Sequence, residues 1–221
     1  YLAIKYGLHL DPVVEPNYLA SDGNIVWAGV SNMGYTNTVF GIGTDVTSGL
    51  NQKQSRSVLG ADILTLGLSS TASSNVSNQA IFGADKMFLL VGNNGALTGS
   101  ITTSDLPTSP GTAAPMRMRM SRIWKAQNTN NVGPLELRFD LTGAFSDTVV
   151  YQGSELCLLI DRNDTGSFTG ATSGAGSVIN TAKLVGGNEY KFSNIMLNTG
   201  DRFTVGLLKK TQVLEFANSI Y

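Results

Sequence analysis

Leu135, Leu137, Phe139 and Leu141 alternate with Glu136, Arg138 and Asp140. A period of two places the apolar set on one face of an extended chain and the charges on the other. The segment therefore reads as a half-buried strand with one wet face. Phe203, Val205 and Leu207 repeat the pattern. So do Leu156, Leu158 and Ile160, with Cys157 and Leu159 between them and Glu155 and Asp161 at the ends. No such strand can bury its apolar face alone, so the pattern demands sheets packed on one another.

Further strand candidates are Thr38 to Thr44, Ile63 to Leu68, the apolar run Lys86 to Val91, Asn188 to Leu197, and Thr211 to Phe216. Asn93-Asn94-Gly95 has the residues of a hairpin turn, because Asn and Gly tolerate positive φ. Roughly ten or more short strands separated by turns mean a sandwich or a barrel. The expected fold is all-β, an antiparallel β-sandwich of jelly-roll-like form. The one helical segment expected is Tyr1 to Tyr6, stopped by Gly7 with Leu8 able to pack back. Residues 1–10 are expected to be the end of a helix from a preceding region, and 11–221 one β-sandwich domain. Two long loops interrupt it, 69–79, rich in Ser, Thr and Asn, and 98–115, carrying Pro107, Pro110 and Pro115. Asp11-Pro12 and Glu15-Pro16 enforce an extended path between helix and sandwich.

The charges nearly cancel, with 15 Lys and Arg against 16 Asp and Glu. That balance argues against a nucleic-acid partner, which calls for a basic excess, and against a polybasic membrane dock. No apolar run is long enough to cross a bilayer as a helix. Tyr1 is not a natural start, so the chain is expected to be a fragment or a processed product, and a missing signal peptide is uninformative. Cys157 is the one cysteine and His9 the one histidine. An internal disulfide is excluded, and so is any multi-histidine metal arrangement. Cys157, inside an apolar strand, reads as a small buried hydrophobe. No nucleophile elbow or phosphate loop is present. The carboxylates leave a glycosidase-type pair open by number, but no motif places one.

Asp161-Arg162-Asn163-Asp164-Thr165-Gly166 presents oxygen-bearing side chains at its first, third and fifth positions and Gly at the sixth. This is the front half of a calcium loop, with Asp161, Asn163 and Thr165 as candidate ligands. The alternative is a plain turn in which Asp161 accepts backbone amides. Met116-Arg117-Met118-Arg119-Met120 reads either as a basic stripe for an anionic partner or as a strand with a buried Met face and a solvated Arg face. Trp27 and Trp124 are sugar-stacking platforms on one reading and core residues on the other. Gly41 and Gly43 lie in a strand pattern, where Gly marks a bulge or a close backbone approach. The block that follows, Gly49-Leu50-Asn51-Gln52-Lys53-Gln54-Ser55, reads as a structural corner whose amides bind loop backbone or a ligand.

Several blocks together carry a family resemblance: Tyr1-Leu2-Ala3-Ile4-Lys5-Tyr6-Gly7-Leu8, Ser21-Asp22-Gly23-Asn24-Ile25-Val26-Trp27, Gly41 to Ser55, Leu90 to Asn94, Ser121 to Lys125 and Leu158 to Asp161. The chain resembles a domain of unknown function that recurs in large surface and secreted, adhesin-like proteins of Bacteroidota, especially flavobacteria. There it often follows a concanavalin-like lectin domain. The resemblance implies an extracellular or cell-surface location and a non-catalytic role as a stalk, filament, scaffold or adhesive unit. Its partners would be neighbouring domains of the same polypeptide, surface glycans or other copies of itself. A carbohydrate-binding or carbohydrate-active domain is one alternative. A jelly-roll virion or assembly subunit is another. In that bacterial context Asp147-Thr148-Val149 matches a short O-glycosylation signal, with Thr148 as acceptor.

Overall fold

The computed structural model describes residues 1–8, 10, 16–58, 62–107, 116–145, 154–169, 178–179, 183–186 and 188–209. His9, Thr148 and the strand candidate Thr211 to Phe216 lie outside them. The described residues are nearly all β. One α-helix, α1 (Leu2–Tyr6), is followed by β1 (Tyr18–Leu19) and β2 (Ile25–Trp27), a two-stranded antiparallel ribbon.

The larger sheet contains β3 (Asn37–Asp45), β4 (Leu50–Gln52), β7 (Phe88–Asn93), β8 (Ile101–Thr102), β9 (Met116–Met120), β10 (Trp124–Thr129), β12 (Ser154–Asp161), β13 (Val178–Ile179) and β16 (Arg202–Lys209). Its main path runs β13-β12-β16-β10-β7-β3-β4, and β9 joins β16 beside β10, with β8 outside it. The smaller sheet runs β14-β15-β11-β6-β5 and uses β5 (Gln54–Arg56), β6 (Leu64–Leu68), β11 (Leu135–Asp140), β14 (Lys183–Gly186) and β15 (Glu189–Ile195). Every pairing is antiparallel.

The inward residues of the two sheets share one core. Phe40, Ile42, Leu89, Val91, Trp124, Phe203 and Val205 from the larger sheet meet Leu64, Leu66, Leu135, Leu137, Phe139 and Phe192 from the smaller. Trp124 stacks on Phe203 at 5.9 Å and meets Phe139 edge-on at 5.6 Å, bridging the layers. This is the β-sandwich that the alternating pattern demands. The outer face of the larger sheet is also covered. On one side Ile4, Tyr18, Val26 and Trp27 pack over Val39, Leu50, Phe88 and Leu90. On the other, Ile123 and Phe168 cover Cys157, Leu159 and Leu208.

Both layers of covering explain why β7 and β12 are continuous apolar runs rather than alternating ones. They also remove room between strands. A Cβ on Gly41 would collide with the Leu89 carbonyl oxygen on the neighbouring strand, and one on Gly92 with the Tyr35 carbonyl oxygen. Gly41 therefore marks close backbone approach. Three expectations need correction. Asn93-Asn94-Gly95 turns the chain but closes no hairpin, since β7 pairs with β3 and β10 while β8 pairs with β9. Glu136, on the wet side of β11, is only 2% exposed, because the loop after β6 folds over it. Arg119 is buried rather than solvated. Its Nε pairs with Asp105 Oδ1 at 2.8 Å, Nη1 donates to the Met120 carbonyl, and the guanidinium lies 5.1 Å from the Phe168 ring.

Candidate functional site

The Gly49 to Ser55 block is where the chain changes sheets. β4 pairs with β3 in the larger sheet, and β5 pairs with β6 in the smaller, leaving only Lys53 between them. Gln52 serves the Gln54 carbonyl and the Leu68 amide the Lys53 carbonyl, but the Lys53 and Gln54 amides need an acceptor from elsewhere. The loop 69–79 supplies it. Asn75 Oδ1 accepts the Lys53 and Gln54 amides at 2.6 and 3.1 Å, and Asn75 Nδ2 donates to the Asn51 carbonyl. The Gln54 side chain closes a reciprocal pair with Ala72, accepting its N–H and donating to its carbonyl. Asn78, 1% exposed, donates to the Ser70 carbonyl at 2.7 Å, and Lys53 Nζ donates to the Asn78 carbonyl. The block is thus the corner that the sequence implied. Of its side-chain amides, Gln54 is spent on loop backbone and Gln52 on the Gln54 carbonyl.

Helix α1 is set against this corner. Gly7 ends it at φ 58°, with N–H groups of Gly7 and Leu8 closing on Ala3 and Ile4 carbonyls. A Cβ on Gly7 would stand 2.6 Å from the Arg56 carbonyl oxygen, so only glycine lets the helix end come this close to β5. The result is an open groove of about 380 Å³ between the helix and the sheet edge, lined by Lys5, Tyr6, Gln52, Gln54, Arg56 and Asn75 among others.

The Asp161 loop forms one tight turn at the end of β12. Asp161 Oδ1 accepts the Asn163 amide at 3.1 Å, and Oδ2 accepts the Gly166 amide at 2.8 Å and the Thr165 hydroxyl at 3.2 Å. Asp161, Asn163 and Thr165 are thus brought together, but Asp161 spends both oxygens on the turn itself. Neighbouring carboxylates are matched by fixed cations. Asp164 faces Lys125 Nζ at 3.0 Å and Arg202 Nε at 2.6 Å, and Asp201 pairs with Arg162. Among the described residues no group of three or more His, Cys, Asp or Glu is arranged around a common point.

A third polar cluster had no signal in the sequence. Asp62, 1% exposed, accepts the Thr38 hydroxyl at 2.9 Å and the Leu64 amide at 3.2 Å. Asn93 donates to the same Thr38 hydroxyl. Thr38 holds a φ of 47°, which a β-branched side chain strongly disfavours. It marks the bulge where the β3–β7 register shifts. Burial pushes the Asp62 carboxyl above its ordinary range, against the pull of these hydrogen bonds and of Arg122.

Two other buried carboxylates tilt the opposite way. Burial alone would raise Asp45, but donors from Lys86, Ser21 and Ser48 outweigh it and hold the group well below the carboxylate range. Glu136 is likewise held down, since Lys191 at 2.8 Å, Thr71 at 2.6 Å and Ser193 at 2.9 Å outweigh its burial. Trp27 and Trp124 are 1% and 0% exposed, so both are core residues and neither presents a ring face to a sugar. Burial pushes the Cys157 thiol up to about 12, which keeps it un-ionised and unreactive at neutral pH. No helix among the described residues is long and apolar enough to cross a membrane.

A family model described as a domain of unknown function (DUF8202) matches residues 1–201, and the chain belongs to that family. No curated protein and no solved structure matches it.

Proposed function

We propose that this member of the DUF8202 family is a non-catalytic structural or adhesive module of a bacterial cell-surface or secreted protein. It would act as a stalk, filament or scaffold unit beside other domains of the same polypeptide, in the adhesin-like proteins of Bacteroidota that its sequence blocks resemble. The observation that carries the reading is the use of the buried carboxylates. Asp45 ties the Ser21 turn and the Ser48 turn to Lys86. Glu136 ties the Thr71 loop to β15. Asp62 and Asp161 hold the backbone beside them, and Asp201 holds the Asn198 turn and Arg162. Groups that would serve as acid, base or nucleophile in an active site are spent on fixing loops to a rigid sandwich.

The test has two parts. Fractionation and surface labelling of cells carrying the full-length protein should place this domain outside the cell. The purified domain should release no product from a panel of polysaccharides and peptides. An intracellular parent protein, or saturable turnover abolished by a single carboxylate substitution, would overturn the reading.

A further inference from the structure

We propose that the groove between α1 and β5 binds acidic saccharides through their carboxylates. This names a ligand class for the adhesive form of the function proposed above, and rests on it.

The argument starts from charge. Lys5 and Arg56 both line the groove, and no Asp or Glu lines it. Among the described residues neither cation has a carboxylate within ion-pair distance, whereas Lys125, Arg138 and Lys191 are each paired. Arg56 donates Nε and Nη2 to the Asp62 carbonyl at 3.1 and 2.8 Å and feels Asp140 only through space. Lys5 Nζ donates to the Tyr1 hydroxyl at 2.8 Å and lies 5.5 Å from the centre of the Tyr6 ring. In a chain with a net charge of −1, two cations left to one groove form a local anion-attracting field.

The shape and the remaining lining narrow the class of anion. A volume of about 380 Å³ falls in the range that takes a ligand of one or two rings. Tyr6 is 51% exposed and offers an apolar ring at the rim, the kind of surface on which a pyranose packs. The lining also includes the amides Gln52, Gln54 and Asn75, whose orientation the corner fixes. Rigid amides with an aromatic rim suit hydroxyl-bearing rings, and an Arg fork suits a carboxylate. Gly7 is what brings these parts together, by letting the helix end meet the Arg56 backbone.

The experiment is calorimetric titration of the purified domain with a galacturonate hexamer, a neutral galactose hexamer and a sulfated hexamer. The expected result is saturable binding of the galacturonate and none of the neutral sugar. Arg56→Gln and Tyr6→Ala should each weaken binding at least about tenfold with unchanged melting curves. Lys5→Gln, at a fully exposed site, serves the same purpose if Arg56→Gln fails to fold. Equal binding by the wild type and the variants would move the site elsewhere and overturn the groove, while leaving an adhesive module intact. Absence of galacturonate binding at millimolar concentration, or a preference for the sulfated hexamer, would overturn the ligand class. Cleavage of the hexamer would overturn the non-catalytic reading and leave the groove standing.

Discussion

Asn75 Oδ1 lies 2.6 Å from the amide nitrogen of Lys53, the one residue between the two sheets. A loop side chain thus supplies the hydrogen bonding that the corner cannot make for itself. Asn75→Ala would strand the Lys53 and Gln54 amides, a loss of about 1–3 kcal/mol. Denaturant melts should show the drop with an unchanged m-value, and Asn75→Asp, which keeps the acceptor, should recover part of it. A stability equal to wild type for Asn75→Ala would mean that water serves the corner equally well.

Gly41 and Gly83 make a matched pair. Gly41→Ala drives a methyl group into the Leu89 backbone inside the larger sheet and should cost roughly 2–4 kcal/mol. Gly83 is exposed, and nothing lies closer than 4.0 Å to a Cβ built there. Gly83→Ala should be neutral or stabilising by a few tenths of a kcal/mol, through the unfolded chain. Thermal melts of the two variants side by side give the comparison. Similar losses at both positions would contradict the close approach of β3 and β7.

The buried carboxylates set opposite pH dependences. Asp62 is raised in the fold, so its contribution to stability is present below its unfolded pKa and is lost as pH rises through the folded value. Asp62→Asn lacks this loss. The melting temperature of the variant should gain on the wild type as pH goes from about 4 to about 8. A gap that stays constant over that range would show that Asp62 does not titrate as its burial implies.

Asp45 and Glu136 are lowered, so their stabilisation is present above the unfolded carboxylate range and is lost as pH falls through the folded values. Glu136→Gln should therefore destabilise at neutral pH and converge on the wild type in acid. The Thr71 loop should show faster amide exchange in the variant at neutral pH, because two of its hydrogen bonds end on that carboxylate. Unchanged exchange there would separate Glu136 from the loop.

For the Asp161 turn the expected outcome of adding millimolar calcium is a melting temperature unchanged to within about a degree. A metal would have to displace the Gly166 and Asn163 amides from Asp161. A clear rise that a chelator reverses would establish Asp161, Asn163 and Thr165 as ligands.

What was legible in the chain was whatever is encoded locally. The period of two in Leu135 to Leu141 found β11, and Gly7 found the end of α1, since both signals lie within a few residues. For Trp27 and Trp124 the chain left sugar-stacking and core readings open, and the structure buries both. What failed was partner choice. Asn93 and Gly95 are good turn formers, but whether a turn closes a hairpin depends on which strand arrives beside β7, and that strand is β10. Arg119 was read as solvated because Asp105 and Phe168 reach it through the fold, not through the strand. The groove left no spacing signal either, since Lys5 and Arg56 are neighbours only after Gly7 has met β5.

The strand order also dictates when folding can finish. β16 lies inside the larger sheet, between β12 on one side and β9 and β10 on the other, yet it is the last described strand along the chain. All five strands of the smaller sheet precede it. A chain emerging from the ribosome can therefore assemble the smaller sheet while the larger one still has a gap at its centre. Until residues 202–209 arrive, Trp124 has no Phe203 to stack on, and the apolar faces of β10 and β12 have no strand between them. Completion is a late, non-local event, and the unfilled slot is where a stalled or truncated chain would be open to pairing with a stranger.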